Sequence, residues 1–189
     1  MSDDPVQTII ESDIGHLSFQ EYFVKHQSKP CIRNISFNGS TEASISPELK
    51  TVIRDNGFKA IIVCPSNPYL SIDPILSIKE IKSFIESSSI PVVAVSPIVG
   101  GKALRGPTAK IMHEMDIPVS VVSIAEHYHP LIDGLVIDHK DKIMSSKMQS
   151  MRIEVQVTNT VMNCDSDKIQ LAQDVVEFSQ MISVKKDSL

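Results

Sequence analysis

Two stretches, AIIVCPSNPYLSIDPIL at 60–76 and PVVAVSPIVGGKALRGPTAK at 91–110, decide how this chain folds. Each opens with a continuously apolar run, Ala60–Cys64 and Pro91–Val95. Runs of this kind are typical of parallel strands buried on both faces. Each run leads into a polar, Gly/Pro-rich loop, and a helix follows each loop. For the first helix, Ser77 and Glu80 form a capping box, Leu76 can staple against Ile81, and Ile78, Ile81 and Ile85 mark the inner face. Pro107 opens the second helix, with Ile111, Met112 and Met115 inward. Parallel strands that bring such loops to one sheet edge create a ligand-binding rim, because helix N-termini and free backbone amides gather there.

The rest of the chain extends this rhythm. Gln7–Ile10 reads as a short strand. Ser18 and Glu21 form a second capping box, opening a helix with Phe19, Tyr22 and Phe23 on its packing side. Ile32–Phe37 is a strand that ends at the Asn38-Gly39 turn, and Ser46-Pro47 starts a short helix through Ile53 that Gly57 stops. Further on, the pattern predicts a helix over Val122–His129 and strands at Leu135–Asp138 and Arg152–Val157. Asp165 or Ser166 then caps an amphipathic helix with Ile169, Ala172, Val175 or Val176, Phe178 and Ile182 on one stripe. Strands alternating with helices imply an α/β fold, layered and Rossmann-like, with a mainly parallel sheet. By chain order the division is 1–58 as a peripheral mixed segment, 59–183 as the α/β core, and 184–189 as a tail.

Composition limits the function classes. With 42% apolar and 22% charged residues in 189, the balance is that of a soluble globular protein. The net charge of −5 disfavours a broad nucleic-acid surface, so any anion site must be local. No apolar run approaches the roughly 20 residues of a membrane span. Three widely spaced cysteines, Cys31, Cys64 and Cys164, with no CxxC, suit free thiols in a reducing cytoplasm, each packed as a small buried hydrophobe.

Within the second loop, Gly100 and Gly101 can turn backbone amides inward, and Gly106-Pro107 leads into a helix start. Lys102, Arg105 and Lys110 place three cations within nine residues, with no acid between them. Amides, helix dipole and cations together favour a phosphate or diphosphate. The alternative is a glycine-rich connection with solvated lysines. In the first loop, Ser66, Asn67 and Ser71 lie between stiffening prolines, suited to hydrogen bonds with a nucleotide; the alternative is Asx-turn chemistry that caps the strand end. Asp3 and Asp4 could lie near a metal or substrate hydroxyl, or simply be solvated. His127, His129 and His139, with Asp133, Asp138 and Asp141, are metal ligands by type. The HxH spacing nevertheless puts its two imidazoles on different helix faces, which argues against zinc.

At several of these places the chain resembles the 2-phospho-L-lactate transferase family of coenzyme F-420 biosynthesis. The matching pieces are MSDDPV at 1–6, FQEYFV at 19–24, PSNPYLSIDPIL at 65–76, VVAVSPIVGGKALRGPTAKIM at 92–112, IAEHY at 124–128 and LVIDHKD at 135–141. The resemblance is to a C-terminal part: the family's Gly-rich GGTG segment and the acids after it are not in this sequence, and Asp73 replaces a glycine usual in the family. It implies that a 2-phospholactyl group moves from a guanylyl-diphospho donor to the ribityl hydroxyl of a deazaflavin acceptor, releasing GMP with help from magnesium. For such a donor, loop position predicts Gly100, Gly101, Lys102, Arg105, Gly106 and Lys110 near the phosphates, with Ser66, Asn67 and Ser71 near the nucleotide. A cytoplasmic location, no membrane or nucleic-acid partner, and weak activity for this chain alone are expected. A separate N-terminal half and a homodimer stay open, as does a non-catalytic nucleotide-sugar-binding regulator or an inactive fragment in place of the enzyme.

Overall fold

The computed structural model describes residues 1–55 and 57–186. It forms two compact units that interleave along the chain. One comprises Met1–Gly57, Asn67–Phe84 and Arg105–Pro118, the other Phe58–Ser66, Ile85–Leu104 and the chain from Val119 onward.

The first unit carries an antiparallel sheet of β1 (Gln7–Ser12), β2 (Gly15–Ser18) and β3 (Ile32–Asn38), in the order β2-β1-β3. Strand β2 was not expected. It arises because the Ser12 hydroxyl donates to the Gly15 carbonyl and closes a tight turn, sending the chain back along β1. The capping box at Ser18 does form, with Ser18 N–H donating to Glu21 and Glu21 N–H to Ser18 Oγ. The helix behind it is only one wide turn, Glu21–Lys25. It buries Tyr22 and leaves Phe23 exposed, stacked on Phe19 at 5.4 Å. Helix α1 (Pro47–Arg54) begins as its sequence predicts, with Ser46 Oγ accepting from Leu49 N–H.

After the first loop come α2 (Asp73–Leu76) and α3 (Lys79–Ser87). Here the expected capping box does not form. Ser77 closes α2 instead, its amide donating to Asp73 O and its hydroxyl to Pro74 O. The Glu80 carboxylate accepts from Ile45 N–H at 3.0 Å and pairs with Lys50. The Ile45 amide takes the carboxylate that the local cap would have used, since an unsatisfied backbone donor costs more than a cap gains. Helix α4 (Thr108–Glu114) turns Ile111 and Met112 inward.

The second unit holds the parallel sheet. Its strands are β4 (Ile61–Val63), β5 (Val92–Val95), β8 (Gly134–Asp138) and β9 (Glu154–Thr158), in the order β4-β5-β8-β9, all pairs parallel. Between β5 and β8 lie a hairpin, β6 (Ile98–Val99) with β7 (Lys102–Ala103), and α5 (Val121–Tyr128). A tight turn, His139–Met144, and α6 (Ser145–Gln149) connect β8 to β9, and α7 (Asp165–Lys186) closes the chain. Val93, Val95 and Val136 pack against Leu171, Val175, Phe178 and Ile182 of α7. Leu135 and Ile137 alternate with Val136 and are equally buried, so both faces of β8 are covered. At Gly134, a side chain would meet Ile182 and Phe178 at 2.6–2.7 Å, so the strand needs glycine to let α7 approach.

Several expectations change here. Ala60–Cys64 is not buried on both faces: β4 is an edge strand, with Ile62 37% exposed and Cys64 exposed. An apolar run cannot reveal its own place in a sheet, because burial depends on which strands pair beside it. On α7 the inner stripe is Leu171, Val175, Phe178 and Ile182; Ile169 and Ala172 face outward. All three cysteines are free and exposed rather than packed inside. Of the expected tail, 184–186 is the last turn of α7, and 187–189 lies outside the described residues.

Candidate functional site

The carboxyl ends of β5, β8 and β9 form one rim of the parallel sheet, and short polar contacts organise it. Ser96, just beyond β5, donates its amide to Val136 O. Its buried hydroxyl accepts from Ile98 N–H at 3.1 Å and donates to Ile98 O at 3.0 Å. That ring starts the β6–β7 hairpin. The hairpin turns at Gly100 and Gly101, whose φ angles of 56° and 72° lie in the left-handed region. Two successive positive φ angles suit a two-residue hairpin of the twist that strands prefer. The pair is thus a hairpin turn, and the Gly100 amide is already spent: it donates to Asp141 Oδ2 at 2.8 Å. Lys102 and Arg105 are exposed, and Gly106, at φ 69°, turns the chain toward α4.

Two buried acids anchor the end of β8. Asp138 Oδ1 accepts from Lys140 N–H at 3.1 Å, and its Oδ2 accepts from Thr160 N–H at 3.2 Å. Asp141 is 6% exposed. Asp133, before β8, accepts from Val92 N–H at 2.8 Å and pairs with Lys186 at 2.7 Å. These three aspartates, grouped in the sequence with the histidines as metal-ligand types, all take backbone amides here. Ser96, Lys140 and Thr160 drew no attention in the sequence; the visible signal was an Asp-x-x-Asp spacing where an apolar strand ends.

In the first loop, Ser66 sits just past β4, its amide donating to Cys64 O. Asn67 caps a wide helical turn, Pro68–Ile72, with Oδ1 accepting from Tyr69 N–H at 3.0 Å and Leu70 N–H at 3.1 Å. Its Nδ2 is buried with no hydrogen-bond partner. Ser71 is exposed on that turn. Burial, reinforced by the charge of Asp73, pushes the Tyr69 phenol up to about 12, so it stays protonated at neutral pH.

Two other residues from the sequence reading have partners inside the first unit. Lys110 pairs with Glu114 at 2.5 Å, donates to Pro30 O at 2.7 Å and lies 5.9 Å from the Tyr22 ring centre. Partial burial works against its charge, but Glu114 and Tyr22 hold its pKa above the usual lysine value. Asp4 accepts from Ser44 N–H and Oγ, hydrogen bonds that lower its pKa. Asp3 is exposed. Among the described residues no three His, Cys, Asp or Glu side chains come together as a metal cage. The Asp4 carboxylate is engaged by Ser44.

A parallel sheet whose loops collect at its carboxyl rim defines an open-sheet α/β protein. The sequence matches the family model described as "2-phospho-L-lactate transferase CofD" over residues 1–180, and the chain belongs to that family. It is 33% identical over 177 residues to the 2-phospho-L-lactate transferase of Methanosarcina mazei, covering 94% of this chain and 57% of that protein. The enzyme of Methanopyrus kandleri is 35% identical over 182 residues, with 94% and 56% covered. The chain thus spans a little over half the length of these relatives, matching a C-terminal part of them. A Bacillus halodurans protein of known crystal structure shares the fold, with a TM-score of 0.57 at 13% identity over 96% of this chain and 60% of that one. No helix among the described residues is long and apolar enough to cross a membrane.

Proposed function

We propose that this chain carries the donor-binding part of a 2-phospho-L-lactate transferase. In this reading a guanylyl-diphospho donor gives up its 2-phospholactyl group to the ribityl hydroxyl of a deazaflavin precursor, and GMP leaves. Such phosphoryl chemistry depends on positioning and charge neutralisation more than on a protein nucleophile. Asn67, with Ser66 and Ser71, is proposed to meet the nucleotide, and Lys102 and Arg105 the diphosphate. Gly100, Gly101 and Gly106 would shape the backbone that presents those cations. The engagement of Lys110 with Glu114 and of Asp4 with Ser44 gives both residues a supporting role.

The observation that carries this reading is the Asn67 amide. Its oxygen is fully used as a helix cap, yet its nitrogen is buried without an acceptor in the protein. A buried donor left unmatched costs about 1–3 kcal/mol, an expense a ligand carbonyl or hydroxyl would remove. Asn67→Ser keeps a capping oxygen, adds no charge and deletes the amide donor. It should weaken GDP binding about tenfold by calorimetry with only a small drop in the melting midpoint. Unchanged GDP affinity in that variant would refute the nucleotide role.

Magnesium is proposed to arrive with the donor diphosphate, a mode in which substrate phosphates supply most ligands. The acceptor is proposed to need family sequence outside this chain, supplied as a separate N-terminal half, with a homodimer as the other arrangement. A cytoplasmic setting follows from the same proposal. Incubating the chain with donor, acceptor and magnesium should release GMP only slowly, and rapid release would overturn the division of labour.

A further inference from the structure

The motif LVIDHKD at 135–141 matched the family, yet the functional reading above leaves it unused. The contacts give both aspartates of its second half a place. Asp138 ends the buried strand, and both its oxygens accept backbone amides, Lys140 N–H on one side and Thr160 N–H on the other. This fixes the direction in which the chain leaves β8, and so fixes Lys140 and Asp141. Asp141 is buried, and its Oδ2 holds the Gly100 amide across 41 positions of sequence. Lys140 is exposed, but its stem lies under the same turn: a side chain added at Gly100 would come 3.5 Å from Lys140 Cδ.

A two-residue hairpin leaves the amides at its tip outside its own ladder, so they need an acceptor elsewhere. A carboxylate is an expensive acceptor to bury, since desolvation opposes its charge. The Gly100 amide is thus engaged within the protein, and the exposed lysines at the turn are the groups left to meet a negative ligand. Two lysines are carried at that turn, Lys102 on the hairpin and Lys140 against it.

We propose that Asp141 is a positioning residue that locks the Gly100-Gly101 hairpin, and that Lys140 joins Lys102 as a second cation for the donor diphosphate. This rests on the donor-site reading given above. The assignment differs from a phosphate nest: the charge comes from two side chains on a clamped turn.

The test uses the full chain, with inorganic pyrophosphate and GDP as probes in calorimetry and hydrogen exchange at the Gly100 amide as a separate readout. Lys140→Gln and Lys102→Gln should each weaken pyrophosphate binding about tenfold, the scale of one charge-assisted hydrogen bond. Asp141→Ala should lose exchange protection at Gly100 and bind both probes about tenfold more weakly. Asp141→Asn keeps an oxygen acceptor and should recover most of the protection and affinity, which a mere requirement for a negative charge would not allow. Unchanged pyrophosphate binding in Lys140→Gln beside a loss in Lys102→Gln would remove Lys140 from the site. Released Gly100 with undiminished affinity in Asp141→Ala would overturn the positioning role. If Asp141→Ala does not fold, the Asp141→Asn and Lys140→Gln results still decide. A wild-type chain that binds neither probe would refute the donor-site reading itself, whereas exchange at Gly100 judges the clamp independently.

Discussion

The loops after β4 and β5 are held in opposite ways. The first is held from within: Asn67 caps the turn that follows it, Pro68 occupies the first helical position, and Ser77 closes α2 on carbonyls a few residues back. The second is held from outside. Its turn hangs on Asp141, 41 residues away, and its start rests on Ser96, whose amide is anchored to Val136 of the neighbouring strand. A loop satisfied by its own residues can form early and locally. One clamped by another strand's end takes its shape only once the sheet is assembled, and it transmits any disturbance of that sheet to its tip.

The sharpest way to break the contrast is Ser96→Ala. It strips two hydrogen bonds from buried Ile98, and a loss of about 2–3 kcal/mol is expected by urea unfolding, since both groups are left without water. Next is Gly101→Val. At φ 72° a side chain is strained by about 1–2 kcal/mol, and hairpin amide protection should fall together with stability. Asn67→Ala tests the self-held loop: losing the cap should cost about 1 kcal/mol, with Asn67→Ser recovering part of it, and exchange at the β6–β7 hairpin should stay as in wild type. A change at the hairpin would show that the first loop is not self-sufficient.

The smallest effect concerns the helix that follows the second loop. Burial opposes the charge of Glu114, but hydrogen bonds from Ile32 N–H and Lys110 outweigh it and lower the pKa. Its contribution to stability is therefore complete above the ordinary glutamate range and disappears as pH falls through the depressed folded value. Acid unfolding of Glu114→Gln should be flatter than wild type over that interval. If the two curves run parallel, the Lys110–Glu114 pair adds nothing to α4.

Much of the fold was legible. The apolar run at Val92–Val95 is wholly buried and central, and the strands at β3, β8 and β9 and the helices α1, α4, α5 and α7 lie close to where pattern placed them. Turn chemistry that uses neighbours, such as the Ser18–Glu21 box and the Ser46 cap, was readable for the same reason. The site was legible only in part. Gly100-Gly101 was visible as a flexible pair, but what the pair does depends on an acid supplied from the turn after β8. Residue type marks Lys102 and Lys110 alike as cations, but in the fold Glu114 and Pro30 O already hold Lys110.

The sequence alone determined the α/β class, the family and the two loops worth watching, because periodicity, capping and motif order are properties of neighbouring residues. Tertiary structure alone decided that β4 lies at an edge, that Ser77 ends a helix instead of starting one, and that Asp141 takes the Gly100 amide. Each of these depends on which distant group reaches an unsatisfied amide or an exposed apolar face, and distances across the fold are not written in the spacing along the chain.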